Sequence, residues 1–187
     1  EGAWRYVVPA VQQVAAYVRA SRAGGAGYVT GAVQLMGPLA CSLQYLGAQR
    51  LAEEVWETIY EDDRTAAAET KAAVWLAVCR FYAGRYDEAE ALLNEAQRPP
   101  RGVWIPSASI PLWLGRVHLA KGEVQKAEAE LGESLGTEST AEWWCARDFA
   151  LARLDYAVAK LQVGKPDEAE ALARQALQTA REQTDPQ

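Results

Sequence analysis

Four glycines at nearly regular spacing place the strongest constraint on the fold of this chain. Gly47, Gly84, Gly122 and Gly164 lie 37, 38 and 42 residues apart. Each is followed by alanine five residues later, and by further apolar or small residues nine and twelve residues later. Self-similarity at this period is typical of helix-pair or blade repeats, and the alternation of strands is absent. The sequence therefore predicts four helical hairpins, each turning at one of these glycines.

Positions are counted below from the turn glycine of each hairpin, negative before it and positive after it. The glycine is expected to end the first helix, because it takes a positive φ without a Cβ clash. Positions +5, +9 and +12 share one face of the second helix, and alanine at +5 lets two helices approach closely. Replacing Gly122 with valine should cost about 1–2 kcal/mol through backbone strain.

The pattern resembles the tetratricopeptide (TPR) repeat. It is best developed in LAVCRFYAGRYDEAEALL and LWLGRVHLAKGEVQKAEAEL, where a leucine and a small residue precede the Gly-x-x-x-x-Ala turn. Gln49, Val124 and Pro166 stand where the family usually has an aromatic residue, as at Tyr86. Units longer than the usual TPR resemble those of large multidomain bacterial regulators. The resemblance implies an all-α fold of antiparallel helix hairpins stacked in a right-handed superhelix, an α–α solenoid.

The predicted organisation is a single TPR-like domain over residues 1–187. An extra helix is expected at 4–22, followed by hairpins at about 28–61, 66–97, 105–135 and 141–182. The interruptions between them contain turn-prone or helix-breaking residues, such as Pro99-Pro100-Arg101-Gly102.

Charge and composition exclude several functional classes. A net charge of −6 argues against binding of nucleic acid, whose affinity for proteins comes largely from Lys and Arg. No stretch reaches the roughly 18–20 uninterrupted apolar residues of a membrane-spanning helix. Cys41, Cys79 and Cys145 are far apart and odd in number, and we interpret them as small buried residues. A cytoplasmic protein is predicted.

No catalytic, cofactor-binding or metal-binding residue is predicted, and no cofactor is expected. The lone His118 has no nucleophile or carboxylate signature beside it, so we interpret it as a core or interhelix histidine. Acidic pairs such as Glu53-Glu54 and Glu88 with Glu90 are expected to lie on solvated faces. The chain is therefore predicted not to be an enzyme.

The resemblance also implies a binding face. In TPR domains the first helix of each unit lines a concave groove, through positions −13, −10, −9, −6, −3 and −2. On this chain the positions are mainly apolar and aromatic, unlike the cationic grooves that clamp a peptide carboxylate. The predicted partner-binding residues are Lys71, Trp75, Val78, Tyr82, Trp113 and Arg116. The alternative is that these aromatic residues pack against neighbouring hairpins.

Three functional hypotheses follow. The first is a scaffold that binds a protein or peptide through the concave face, as part of a larger regulatory protein or alone. The second is the effector-sensing region of a bacterial transcription regulator, with a small ligand in an aromatic-lined cavity. The third is a homodimerisation module. No nucleic acid or membrane partner is expected for this domain.

Overall fold

The computed structural model describes residues 9, 13, 16, 43, 47–63, 69–97, 109–136 and 146–184. Across these ranges the chain forms seven α-helices and no strand. The helices are α1 (Gln49–Asp63), α2 (Glu69–Tyr82), α3 (Tyr86–Ala96), α4 (Ser109–Lys121), α5 (Val124–Gly136), α6 (Ala146–Gln162) and α7 (Pro166–Thr184). The predicted all-α class is confirmed.

The chain divides into two compact units, Glu1–Val103 and Trp104–Gln187. Helices α1 to α3 belong to the first unit and α4 to α7 to the second. The prediction of one domain over the whole chain stays a prediction. The predicted helix at 4–22 and the first helix of the first hairpin fall almost wholly outside the described residues.

Three of the predicted hairpins are seen with both helices. They are α2–α3, α4–α5 and α6–α7, called here the second, third and fourth hairpins. Their described helices lie within 69–96, 109–136 and 146–184, which overlap the predicted ranges 66–97, 105–135 and 141–182. Helix α1 is the second helix of the first hairpin.

The four turn glycines have the predicted conformation. Gly47, Gly84, Gly122 and Gly164 have φ values of 80°, 75°, 77° and 78°. The residue after each glycine donates its backbone N–H to the carbonyl at position −4, as Glu123 does to His118 at 2.8 Å. These bonds satisfy carbonyl groups that the end of a helix would otherwise leave open.

The face formed by +5, +9 and +12 is the buried face of each second helix. The +5 alanines are buried in all four hairpins, and Leu93 and Leu131 at +9 are fully buried. In the second unit, Leu112, Ala127, Leu131, Ala152 and Ala159 form one core cluster from three helices. The burial of this stripe explains why these positions are small or apolar in the sequence.

Gly115 at −7 allows α4 and α5 to approach unusually closely. A Cβ added there would lie 2.5 Å from Cγ of Leu131 and 3.2 Å from its backbone nitrogen. The equivalent residues, Ala77 and Ala157, are buried alanines. The third hairpin is therefore packed more tightly at this level than its neighbours.

None of the described helices combines the length and the apolar character needed to cross a membrane.

Candidate partner-binding surface

The first helices α2, α4 and α6 carry the positions that the TPR resemblance assigns to the binding face. We call the surface formed by positions −13, −10, −9, −6, −3 and −2 of a first helix its first-helix face. The predicted binding residues of α2 lie in the first unit, and those of α4 lie in the second.

In the first unit the predicted residues have different environments. The half-buried ring of Trp75 stacks on Trp56 of α1, with centroids 5.9 Å apart and planes inclined by 12°. Val78 is only 3% exposed, whereas Tyr82 is 52% exposed. Lys71 lies in α2, but its side chain falls outside the described part of the structure. Trp75 thus packs against a neighbouring hairpin, and Tyr82 offers the accessible surface.

An aromatic cluster holds Tyr82 at the end of α2. The Phe81 ring meets the Tyr82 ring edge to face at 5.4 Å and the Tyr86 ring at 5.6 Å. Such pairs contribute about 0.5–1.5 kcal/mol beyond the burial of area. The Tyr82 ring is therefore exposed to solvent and is also held in place by its contact with Phe81.

In the second unit the predicted pair Trp113 and Arg116 is brought together. The Arg116 guanidinium lies over the Trp113 ring, 4.6 Å from its centroid. Its Nε is 2.8 Å from Oδ2 of Asp155 on α6. The Arg116 side chain is 15% exposed, and Trp113 is half-buried. Burial raises the pKa of Asp155, and the positive charge of Arg116 opposes that rise.

Further apolar side chains are exposed on the fourth hairpin. They are Leu154, Val158 and Leu161 on α6 and Leu177 on α7. The three on α6 are positions −10, −6 and −3 of its first-helix face. Leu112 and Val78, at −10 and −6 of other hairpins, are buried.

A cluster of ion pairs joins α1, α2 and α3 in the first unit. Arg80 at position −4 contacts Glu53 and Glu57 on α1, and Glu88 on α3 at 3.4 Å. Arg85 at +1 contacts the same Glu53 oxygen. The expectation that Glu53 lies on a solvated face is wrong, because its side chain is mostly buried between two guanidinium groups.

A second cluster of ion pairs joins α5, α6 and the start of α7 in the second unit, with the same repeat positions. Nζ of Lys160 at −4 lies 2.9 Å from Oε1 of Glu128 and 2.6 Å from Oε2 of Glu168. Lys165 at +1 contacts the same Glu128 oxygen at 2.8 Å. Lys160 also lies over the Tyr156 ring at 4.8 Å. Hydrogen bonds from Lys165 and Lys160 lower the pKa of Glu128, and those to Glu168 and Glu128 raise the pKa of Lys160.

The third hairpin departs from this plan. His118 occupies position −4 and is buried, with Nδ1 3.1 Å from Oε2 of Glu123 at +1. Lys126 donates a 2.7 Å hydrogen bond to Glu123, which is the main reason that the pKa of this carboxyl is lowered. The signs at +1 and +4 are thus reversed relative to the other two hairpins. The environment of His118 is that of an interhelix histidine.

Repeat positions in the sequence carry a signal for these ion pairs that the TPR resemblance does not include. Position +6 is glutamate in every hairpin, as Glu53, Glu90, Glu128 and Glu170. A cation stands at −4 and +1 in both the second and fourth hairpins. Two of the four glutamates, Glu53 and Glu128, receive both cations of the following hairpin.

The described residues contain no group of three His, Cys, Asp or Glu side chains arranged to hold a metal ion. Their charged side chains are engaged in ion pairs between helices or lie on the surface. The first-helix faces present aromatic, apolar and guanidinium groups at their surface.

Antiparallel helix pairs that reverse at a left-handed glycine, with an alanine-lined contact between the paired helices, define a TPR-like helical-repeat fold. Solved structures share it. BtubC (BKLC) from P. vanneervenii has a TM-score of 0.63 at 13% identity, over 100% of this chain and 94% of that chain. The TPR-like repeats described as a kinesin light chain of Podosopora anserina have 0.62 at 18% identity, over 97% and 90%.

A third solved structure, MamA, has a TM-score of 0.57 at 20% identity, over 81% of this chain and 80% of that chain. Identities this low establish the fold alone. No family model matches the sequence, and none of the curated proteins matches it. The chain therefore has a TPR-like helical-repeat fold.

Proposed function

We propose that this chain is a scaffold that binds a protein or peptide through its first-helix faces. The observation that carries the proposal is the arrangement of Trp113, Arg116 and Asp155. The guanidinium lies over an aromatic ring of its own helix and is paired with a carboxylate from the next first helix, and both the ring and the guanidinium remain partly exposed. Residues of these two types dominate the energetics of protein interfaces.

The fixed geometry of this group favours binding. A free arginine side chain loses about 1.5–2 kcal/mol of conformational entropy when it is ordered. Arg116 is already ordered by Trp113 and Asp155 in the unbound chain, so a partner meets a pre-organised surface. Tyr82 gives the first unit a comparable element, an exposed ring fixed by Phe81.

The chemistry of the faces indicates the type of partner. Tyr82, Trp113 and the stem of Arg116 offer apolar and aromatic surface, and the Arg116 charge is balanced by Asp155. A partner with aromatic or aliphatic side chains fits this surface better than one recognised by its carboxylate terminus. A place in a larger regulatory protein, self-association and a cytoplasmic location stay predictions.

The test uses photo-crosslinking at matched positions. A photoreactive amino acid replaces Tyr82 or Ala120, both exposed residues at −2 on first helices. Matched controls replace Asp87 or Gln125, exposed residues at +3 on second helices. We expect one set of partners to be captured from the −2 positions and not from the +3 positions. Equal capture from both, or capture from the +3 positions alone, would overturn the assignment of the face.

Affinity for the captured partner then tests the residues. Arg116→Met, which removes the guanidinium but keeps an apolar stem, is expected to weaken binding about tenfold or more. Arg116→Lys retains the charge but loses the planar group, and should recover only part of the affinity. An unchanged Kd in a folded Arg116→Met variant would exclude this residue from the interface.

A further inference from the structure

The four exposed large apolar side chains among the described residues of the second unit occupy one set of repeat positions. Leu154, Val158 and Leu161 on α6 are 44%, 43% and 58% exposed, and Leu177 on α7 is 52% exposed. They stand at −10, −6, −3 and +13. We call this surface the open face of the fourth hairpin.

The same four positions are covered in the third hairpin. Leu112 at −10 is 2% exposed and belongs to the core cluster with Ala152 and Ala159 of α6. Leu119 at −3 and Leu135 at +13 are half-buried against the same cluster. Arg116 at −6 is paired with Asp155 of α6. Helix α6, the first helix of the next hairpin, therefore covers the surface that the fourth hairpin leaves open.

The charged side chains show the same relation between one hairpin and the hairpin that follows it. Glu128 at +6 of the third hairpin accepts Lys160 and Lys165, the −4 and +1 cations of the fourth. Glu170 stands at +6 of the fourth hairpin, where its ion pair is with Arg174 of the same helix. Both side chains of that pair are mostly exposed. The open face thus carries the acidic acceptor as well as the apolar residues of a hairpin–hairpin contact.

We propose that the open face is the seat of one further α-hairpin of the same repeat type. The basis is continuity with the contact between the third and fourth hairpins, since the seat has the same positions in the same register. A terminal repeat ordinarily presents a polar outer face to water, and this face is apolar at four large side chains. The occupant is a helical hairpin rather than an extended peptide, because the equivalent contact is made by helix α6 together with Lys165, which follows its turn glycine.

The residues of the open face indicate which residue types the added hairpin should carry at its contact positions. Small residues at −12 and −5 are required, as with Ala152 and Ala159, so that the new helix can approach. Cations at −4 and +1 would meet Glu170, as Lys160 and Lys165 meet Glu128.

One position must differ from the fourth hairpin. The seat has Val158 at −6, where the third hairpin has Arg116. Arg116 compensates the mostly buried Asp155 at −9 of the incoming helix, and valine could not. Because an unpaired buried carboxylate is strongly destabilising, the occupant should carry an apolar residue at −9.

The experiment adds such a hairpin to the full chain. A second copy of residues 137–184 is joined after Gln187, with Asp155→Leu in the copy only. We expect the Tm to rise by about 4 °C or more. Hydrogen exchange of the α6 backbone amides, followed by mass spectrometry, should slow about tenfold relative to the unextended chain. A copy that keeps its aspartate at this position should give a smaller rise in Tm and a smaller slowing of α6 exchange.

Two variants of the original seat serve as a matched pair. Val158→Glu should abolish the gain in Tm and the slowed exchange, because it places a carboxylate in the contact. Gln175→Glu should leave both gains intact, since position +11 is exposed even in the covered third hairpin, at Glu133. An extension that leaves α6 exchange unchanged overturns the proposal. The unextended chain is expected not to dimerise through this face: concentration-dependent dimerisation that slows α6 exchange as much as the added hairpin does would also overturn the proposal. The open face would then be assigned to a second copy of the chain.

Discussion

The third and fourth hairpins belong to one unit and share one register, yet they bury different surfaces. Leu112 and Leu135 are covered, and their equivalents Leu154 and Leu177 are exposed. All four residues are leucine, so residue type does not decide the difference. The difference in burial arises because α6 packs against α4 and α5, whereas no described helix packs in the same way against α6 and α7. In a repeat fold, burial is therefore a property of the neighbour as much as of the residue.

Truncating equivalent leucines should give the largest contrast. We expect Leu112→Ala to reduce the free energy of unfolding by about 3 kcal/mol, through lost burial and a cavity in the core. Leu154→Ala should change it by no more than about 0.5 kcal/mol, because its side chain already meets solvent. Urea denaturation of both variants measures the two values. Similar losses would mean that the open face is covered in solution.

A methyl group added at Gly115 should have the next largest effect. Gly115→Ala is expected to cost about 2 kcal/mol, since the new Cβ would meet both the side chain and the backbone of Leu131. The reverse change in the fourth hairpin, Ala157→Gly, should cost about 1–2 kcal/mol, through lower helix propensity and the loss of a buried methyl group. Thermal and urea melts check both variants. A neutral Gly115→Ala would show that α4 and α5 can separate without loss.

Lys160 and Lys165, the two lysines that contact Glu128, should differ in how much each contributes to the free energy of unfolding. Lys160→Met is expected to cost about 1.5 kcal/mol, because Lys160 is mostly buried and bonded to two carboxylates. Lys165→Met should cost no more than about 0.5 kcal/mol, since Lys165 is half exposed. A double-mutant cycle with Glu128→Gln isolates each pair. Equal coupling energies would remove the distinction.

The smallest effect concerns acid stability. The pKa of Glu128 is lowered by Lys165 and Lys160, so its ionised form favours the folded state. This contribution is fully present above the unfolded pKa of about 4.3, and is lost as the pH falls through the lower folded pKa. Glu128→Gln should therefore be less stable than the wild type at pH 7, with the difference shrinking towards pH 3. Urea midpoints across this range give the result, and a constant difference would contradict it.

The hairpins could be predicted from the sequence because their determinants are local. A glycine at the turn and alanine five residues later fix the reversal and the contact between paired helices, and Gly122 and Ala127 have the expected conformation and burial. Both features depend on chain geometry within about one hairpin.

The exposure of the predicted binding residues could be predicted only in part, because it depends on contacts between hairpins. Val78 and Tyr82 both belong to the predicted binding face, but one is buried and the other exposed. Trp113 and Arg116 lie on one turn of a helix, so their contact is local, whereas Asp155 reaches Arg116 from α6. A TPR alignment gives positions on a helix, but not the covering of each position by the next hairpin.

Residue-level hydroxyl-radical footprinting of the unmodified chain tests most directly the claim that neighbours, rather than residue types, decide which equivalent positions are available for binding. We expect labelling of Leu154, Leu161 and Leu177 at rates several-fold above those of Leu112, Leu119 and Leu135. Comparable protection of the two sets would contradict it, because the open face of the fourth hairpin would then already be occupied.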